Sequence, residues 1–281
     1  MVSVIICFYQ RVQHLRCCLD SLRFSRQDFD EVIIVDDGSP MDIVADTKQL
    51  IATYDFPIRY VWQENKGFRA AAARNKGIRS ASGGYLIFFD CDFLILPGTV
   101  RAHVDRAKHG RFVAGSCKYL SEAHSARVYE TVISENMMED LYAGIPDREL
   151  WIQHRRYNWR TFLMRLGLAS PWKQGLGGHL CIYRKDMEIV NGYDENFVGW
   201  GGEDEDLGIR LVTAGIYCRS AIPYARVMHI WHPKEIGDKH WESGPNMAYF
   251  NRRDRSYFCE NGLFQTTGMS SKSKERASGN E

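Results

Sequence analysis

Short apolar runs alternate with helix-like segments before residue 90, and this alternation constrains the fold more than any other feature of the chain. Four runs have the length and composition of buried strands: 2–8, 31–35, 58–62 and 85–89. Three intervening segments have helical spacing or an alanine-rich composition: 12–24, 42–54 and 68–81. The pattern predicts an α/β fold with a mostly parallel sheet flanked by helices, in which ligands bind beyond the carboxyl ends of the strands.

Composition narrows the class of protein. The 281 residues include 36 Lys and Arg against 35 Asp and Glu, a balance that argues against a dedicated nucleic-acid-binding protein. No apolar run approaches the roughly 18–20 residues of a membrane span, and the first residues lack the pattern of a signal peptide. We therefore expect a cytoplasmic protein with at most peripheral association at the inner face of the membrane. The 8 cysteines form no CxxC pair, so we expect free thiols.

Acidic residues follow the second and fourth apolar runs, where a parallel sheet binds its ligands. Asp36 and Asp37 follow the second run, in a sequence that is also common in plain turns. Asp90 and Asp92 follow the fourth run, and they would point the same way if the strand stayed regular. Two carboxylates there suit a hard divalent cation that also binds phosphate oxygens. A capped turn leading to Pro97 is the alternative.

A third acidic cluster, at 203–206, opens a predicted helix directly after Trp200, Gly201 and Gly202. One or two acids would be enough to complement the helix dipole, so four suggest a further role. Two glycines let another molecule approach the backbone. A carboxylate in this cluster could act as a general base, with Trp200 as a flat apolar face beside it.

Two histidines lie near the end of a predicted last strand at 224–232. His229 is a candidate metal ligand, and His232 is the other candidate for an imidazole ligand. A structural role is the alternative for both, and no cysteine or further histidine has the spacing of a zinc finger.

Taken together, these segments resemble GT-A glycosyltransferases that use nucleotide-diphospho-sugars. Four segments follow in the order typical of the large bacterial family of that fold: "SVIICFYQRVQHLRCCLDSL", "VIIVDDGS", "NKGFRAAAARNKGI" and "YLIFFDCDF". A fifth segment is similar to the acceptor-side motif of β-1,4-galactosyltransferases and bacterial chondroitin-polymerase modules: "NGYDENFVGWGGEDEDLGIRL".

The resemblance extends over about residues 2–235 and is weakest in the first strand. Many relatives have Pro-Thr-Tyr-Asn where this chain has Cys7-Phe8-Tyr9-Gln10, so the contacts of this strand with a nucleotide base stay open. The resemblance implies a GT-A (Rossmann-like) architecture in a single large domain. Its parts would be a nucleotide-sugar-binding half (1–118), an acceptor-binding and catalytic half (119–258) and a polar tail that we expect to be disordered (259–281).

The resemblance also implies a donor site for a UDP-sugar. Tyr9 would line the nucleotide base, and Asp36 or Asp37 would hydrogen-bond the uracil edge. The remaining donor-binding residues would be Arg74, Asn75 and Asp90.

For the metal, the resemblance implies Mn²⁺ or Mg²⁺ bound to the diphosphate. Asp92 would hold the ion, with Asp90 close by and His229 as a further ligand. Oxygen and imidazole ligands together favour Mn²⁺ somewhat over Mg²⁺.

The chemistry that follows is transfer of a sugar to a hydroxyl group of a glycan or lipid-linked glycan, in the synthesis of a cell-surface polysaccharide or lipopolysaccharide. Asp204 would be the general base and Glu203 would hold the acceptor, with Trp200, Gly201 and Gly202 lining its site. A base opposite the leaving group gives single displacement, so we expect inversion. The donor sugar, the acceptor and the oligomeric state stay open.

Three rival functions fit parts of the pattern. Phosphatases of the haloacid dehalogenase type also place Asp-x-Asp after an apolar strand, but that strand normally opens the domain. A nucleotidyltransferase would carry a glycine-rich phosphate loop after the first strand, and none is present here. An inactive module that only binds nucleotide-sugars would have no need of a general base.

Overall fold

A computed structural model describes residues 1–171, 179–233 and 241–265. The strands, numbered along the chain, are β1 (Val2–Phe8), β2 (Glu31–Asp36), β3 (Ile58–Trp62), β4 (Tyr85–Asp90), β5 (Phe93–Ile95), β6 (Arg111–Ala114), β7 (Ser116–Tyr119), β8 (Leu180–Tyr183), β9 (Tyr217–Ser220) and β10 (Arg226–His229). The α-helices are α1 (Val12–Leu22), α2 (Met41–Ile51), α3 (Ala70–Ser80), α4 (Thr99–Val104), α5 (Glu122–Glu130), α6 (Glu135–Ala143), α7 (Arg148–Arg165), α8 (Arg184–Ile189), α9 (Glu203–Thr213) and α10 (Met247–Phe250). Two 3₁₀ turns lie at Arg23–Asp28 and Trp241–Ser243.

The main sheet has seven strands in the order β3-β2-β1-β4-β8-β6-β9. Only β8 runs antiparallel to its neighbours, so the sheet is mostly parallel, as predicted. Its central strands are buried on both faces, which explains why their sequences are continuously apolar rather than alternating. Helix α3 packs close to β1 because Gly77 has no side chain: a Cβ there would lie 2.5 Å from Cγ2 of Ile5.

The strands and helices predicted before residue 90 are confirmed, with shifts at their ends. A second sheet, β5-β10-β7, was not predicted, because its strands are only three or four residues long. Helices α5, α6 and α7 occupy the middle region, where the periodic signal was weak. Among residues 1–171, 179–233 and 241–265, no helix combines the length and the apolar composition needed to cross a membrane.

The predicted tail does not begin at residue 259. Cys259 and Leu263 are 5% and 6% exposed, and the Asn191 side chain donates to the Cys259 carbonyl and accepts from the Phe264 amide. Residues 259–265 therefore pack on the domain, and that part of the prediction is wrong. The rest of the predicted tail, 266–281, lies outside the described residues.

Candidate active site

The register of the second sheet brings Asp92 and His229 together. Strand β4 ends at Asp90, and a turn leads through Asp92 into β5. In β10, His229 pairs with Phe93, the residue that follows Asp92. The Ile230 amide donates to the Asp92 carbonyl at 2.8 Å, which ties the turn to the chain after β10. Backbone pairing thus holds an aspartate and the end of a histidine-bearing strand side by side.

Asp92, His229 and His232 form a group that could hold a metal ion. One potential ligand atom from each residue lies within 4.8 Å of the others. Asp92 Oδ2 is 3.7 Å from His229 Nε2, 3.3 Å from His232 Nε2 and 3.5 Å from Arg11 Nη1. The other carboxylate oxygen, Asp92 Oδ1, is buried and has no hydrogen-bond partner within the described residues. A buried acceptor without a partner is costly, so this atom marks a place for a ligand.

The electrostatics of this group favour a charged carboxylate beside imidazoles. Burial opposes ionisation of Asp92, but the His232 hydrogen bond and the nearby imidazoles and Arg11 guanidinium outweigh it and lower its pKa. Burial lowers the pKa of His229, which keeps it neutral and able to ligate. The hydrogen bond to Asp92 raises the pKa of His232. A divalent cation could take the place of the proton that His232 shares with Asp92.

Asp90 and Asp92 would point the same way only if the strand stayed regular, and this condition is not met. The strand ends at Asp90, so the alternation of side chains stops there. Asp90 Oδ1 instead lies 3.5 Å from Arg74 Nη2, and Asp90 is not a member of the metal-ligand group. Its enclosure in the cleft and the charge of Asp92 raise its pKa, while Arg74 opposes the rise.

Arg74 connects Asp90 to the start of α9. Its side chain is 12% exposed, and its Nη1 lies 3.1 Å from Glu203 Oε1 and 3.3 Å from Asp204 Oδ1. The guanidinium also lies 5.2 Å from the centre of the Tyr193 ring. One buried cation thus serves three carboxylates that come from distant parts of the sequence.

Glu203 and Asp204 differ in access. Glu203 is 6% exposed and its Oε2 has no partner within the described residues. Burial and the charge of Asp204 raise the pKa of Glu203 to about 7, against the opposing effect of Arg74. The Asp204 side chain is 34% exposed and can reach a ligand. Gly201 and Gly202 have φ values of 89° and 94°, a left-handed backbone that favours glycine and exposes the helix start.

Two predicted donor residues lie elsewhere. Asn75 is fully buried: its amide donates to the Tyr193 carbonyl at 2.8 Å and its Oδ1 accepts from the Tyr193 amide at 2.9 Å. Asp36 is also fully buried, accepting from the Ser39 amide and the Tyr60 hydroxyl. Both side chains are engaged in local hydrogen bonds, and neither is exposed in the structure.

The other predicted residues stay accessible. Asp37 is half-buried and accepts from Gln63 Nε2 and the Arg69 amide. Tyr9 is 36% exposed, with its hydroxyl 3.1 Å from Asn65 Nδ2, and Trp200 is 39% exposed.

Sequence reasoning missed Arg11 and Tyr119. Arg11 contacts Asp92, and the Tyr119 ring, 71% exposed, lies 5.2 Å from the His229 ring. Tyr119 belongs to no quoted motif, and Arg11 lies in the first quoted segment without having been singled out. Tyr119 lies beside the site because β7 pairs with β10, and Arg11 because it directly precedes α1. No signal in the sequence alone could have found them.

The architecture is that of a GT-A glycosyltransferase fold. Residues 3–187 match the family Glycosyl transferase family 2, and residues 159–233 match the N-terminal domain of galactosyltransferase. The chain belongs to glycosyl transferase family 2, and the resemblance seen in its motifs is confirmed.

Several characterised proteins are similar to this chain. Validoxylamine A glucosyltransferase of Streptomyces hygroscopicus subsp. jinggangensis is 32% identical over 77% of the chain and 52% of that protein. Chondroitin synthase of Escherichia coli is 28% identical over 88% of the chain and 37% of that protein. Hyaluronan synthase of Pasteurella multocida is 27% identical over 90% of the chain and 27% of that protein. The chain thus spans about half or less of the length of these relatives.

Among solved structures, the fold is shared with a mannosyltransferase from Pyrobaculum calidifontis in complex with GDP-Man and Mn²⁺. The TM-score is 0.55 at 19% identity, over 83% of this chain and 57% of that one. At this identity the likeness bears on the fold alone, and it confirms the predicted GT-A class.

Proposed function

We propose that the chain is a metal-dependent, inverting glycosyltransferase that moves a sugar from a UDP-sugar to a hydroxyl group of a glycan acceptor, in the synthesis of a cell-surface polysaccharide or lipopolysaccharide. One observation carries the proposal. The Asp92 metal-ligand group and the accessible Asp204 carboxylate lie on either side of Asp90 and Arg74, so a bound diphosphate could meet both. A module that only binds nucleotide-sugars would need the metal-ligand group but not the Asp204 carboxylate.

The residues present fit a divalent cation. One carboxylate and two imidazoles converge, and the buried Asp92 Oδ1 lacks a partner within the described residues. This ligand set also suits Fe²⁺ or Zn²⁺, but the hard oxygens of a diphosphate would complete the coordination sphere and favour Mn²⁺ or Mg²⁺. When bound, the ion would offset the charge that develops on the departing diphosphate.

The protein groups would carry the proton and orient the substrates. Asp204 would accept the proton of the attacking hydroxyl, because it is exposed where its neighbour Glu203 is buried. Arg74 would hold Asp204 in position through their 3.3 Å contact, and Glu203, whose Oε2 has no partner within the described residues, would hold the acceptor. Trp200 would support a sugar ring with its exposed face.

On the donor side, Tyr9 and Asp37 would contact the base. The choice of UDP rests on the resemblance to β-1,4-galactosyltransferases and chondroitin-polymerase modules. A panel of UDP-sugars and GDP-mannose, incubated with the chain and Mn²⁺, Mg²⁺ or a chelator, tests it. We expect metal-dependent release of UDP from at least one UDP-sugar. Turnover of GDP-mannose alone would overturn the choice of nucleotide, and turnover that survives chelation would overturn the metal.

Asp204→Asn should leave folding and UDP affinity near normal and reduce transfer by roughly 10²–10⁴-fold, the usual contribution of a general base. Glu205→Gln is the matched control, because Glu205 is the next residue of the same helix and makes no proposed contact. Retention of more than about a third of the wild-type rate would place the base elsewhere, with Glu203 the next candidate.

The product linkage should be inverted relative to the donor. A carboxylate that removes a proton from the acceptor leaves no covalent intermediate on the protein, so one displacement reverses the anomeric configuration. Proton NMR of the first-formed product measures this directly. An α-linked product from an α-linked UDP-sugar would contradict single displacement.

A further inference from the structure

Helix α7 lies along β9, the edge strand of the main sheet. The Arg165 guanidinium lies 5.8 Å from the centre of the Tyr217 ring at the start of β9. His154 Nδ1 lies 2.9 Å from Ser220 Oγ at the end of β9. The helix therefore runs antiparallel to β9 and covers this edge of the sheet. Contact with β9 accounts for the side chains on the inner face of the helix.

The outer face of α7 has no such explanation. Ile152, Trp159, Phe162 and Leu166 are 54%, 62%, 52% and 56% exposed. Their spacing of seven, three and four residues places them on one side of the helix, and we call them the outer stripe. The Trp159 and Phe162 rings stack with centroids 5.6 Å apart. Large apolar side chains exposed together mark a contact surface.

Positive charge surrounds the outer stripe. Five arginines lie on the helix, four of them exposed and one half-buried, against a single acid, Glu149. The arginines are Arg148, Arg155, Arg156, Arg160 and Arg165; because Arg165 contacts Tyr217 of β9, the other four are those available to the outer stripe. Apolar side chains that protrude among arginines can enter the apolar part of a bilayer while the arginines reach the lipid headgroups.

Two other occupants fit less well. A second copy of the chain, docked through the same face, would bring these arginines against each other. An acidic glycan would pair with the arginines, but carbohydrate sites use flat aromatic faces with polar neighbours. Ile152 and Leu166 have neither a flat face nor a polar group for a glycan to contact, whereas lipid acyl chains would bury both side chains.

We propose that α7 binds the surface of an anionic lipid bilayer, with the outer stripe inserted among the acyl chains and the arginines on the lipid phosphates. Burial of the apolar side chains favours insertion, and the arginine side chains are long enough to extend their charged ends to the lipid headgroups. The contact is peripheral and needs no donor or acceptor, so it stands apart from the proposed transfer reaction.

The test is sedimentation of the full 281-residue chain with vesicles. The chain should pellet with vesicles of phosphatidylglycerol mixed with phosphatidylcholine, and much less with phosphatidylcholine alone or at high salt. The double substitution Trp159→Ser, Phe162→Ser should weaken binding by about tenfold or more, because two inserted rings are lost. Arg155→Glu with Arg156→Glu should also weaken it.

The control is Val132→Ser, at an apolar residue that is 88% exposed but distant in sequence from α7. It should bind vesicles as the wild type does. All substituted residues are exposed, and thermal unfolding confirms that each variant is folded.

Three results would overturn the proposal. The first is equal pelleting of wild type and the Trp159, Phe162 double variant. The second is binding of the wild type to an acidic polysaccharide, lost in the double variant, with no binding to anionic vesicles. The third is a dimer in analytical ultracentrifugation that the double variant abolishes, again without vesicle binding.

Discussion

Two histidine pairs each have one ring near Phe93, and they have different chemistry. The His179 ring lies 6.3 Å from the Phe93 ring, and the His229 ring lies 5.9 Å from it. His103 and His179 are 0% and 1% exposed, whereas His229 and His232 reach the cleft. We call them the buried pair and the cleft pair.

Every ring nitrogen of the buried pair has a protein partner. His103 Nε2 lies 2.8 Å from His179 Nδ1, and His103 Nδ1 lies 2.9 Å from Cys181 Sγ. His179 Nε2 lies 3.0 Å from the Ser116 carbonyl. Burial lowers the pKa of His179 to about 4 and that of His103 well below its usual range. The pair is a neutral, complete network, with no position left for a ligand.

The hydrogen bonding around the cleft pair is incomplete, as is typical of a binding site. Both imidazoles converge on one carboxylate, and Asp92 Oδ1 has no partner within the described part of the chain. The difference teaches that histidine content alone does not identify a metal site. What matters is which acceptors the fold leaves unsatisfied and open to the cleft.

The largest expected effect is on activity. Asp92→Asn should reduce transfer by about 10²–10³-fold, because the metal loses its charged ligand and the leaving diphosphate loses several kcal/mol of stabilisation. Rates measured across a Mn²⁺ titration check this. His179→Gln is the matched control from the buried pair and should keep the wild-type Mn²⁺ requirement. Equal changes in both variants would remove the functional distinction between the pairs.

The second largest expected effect is on stability, and here a substitution in the buried pair should matter more than one in the cleft pair. His179→Ala should lower the free energy of unfolding by roughly 3 kcal/mol, since it leaves a cavity and removes the partner of His103. The site is tightly enclosed: a Cβ at Gly115 would lie 1.7 Å from His179 Cε1. Urea unfolding of the metal-free protein measures the loss. His229→Ala, at a half-buried residue, should cost much less, and a similar loss in both variants would contradict the comparison.

Sequence reasoning found the cleft pair and not the buried pair, for a physical reason. Strands β1 to β4 are identified by local apolar runs, and acidic residues at strand ends stand out against them. His103 and His179 lie in ordinary helical and strand-like surroundings, and only tertiary packing joins them across 76 positions. The Arg74 contact with Glu203 spans 129 positions and was equally invisible.

Misplaced residues have a related cause. Asn75 and Asp36 carry the right side chains for ligand binding, but buried backbone groups occupy them first. Asp90 was expected to share a direction with Asp92 if the strand stayed regular, but β4 ends at Asp90, which contacts Arg74 instead. The ends of helices and strands are the features hardest to predict from a sequence, and Asp90 and Asp92 both lie where a strand ends or begins.

The smallest expected effect is a pH dependence whose sign differs between His179 of the buried pair and His232 of the cleft pair. The folded pKa of His179 is about 4, below the unfolded value of 6.5. Between these values the unfolded chain binds a proton that the folded chain does not, so stability falls as the pH falls. This difference in proton binding lowers the free energy of unfolding at about pH 5.5 by about 1 kcal/mol relative to neutral pH.

For His232 the sign reverses, because its hydrogen bond to Asp92 raises the folded pKa above the unfolded value. Its contribution is fully present below pH 6.5 and is lost as the pH rises through the folded pKa. In urea unfolding with a chelator present, His179→Gln should therefore flatten the loss of stability on acidification. His232→Gln should remove a contribution that grows over the same range and so make the loss steeper. If both substitutions changed the profile in the same direction, Asp92 would not be holding a proton on His232, and the cleft pair would not be poised to exchange that proton for a metal ion.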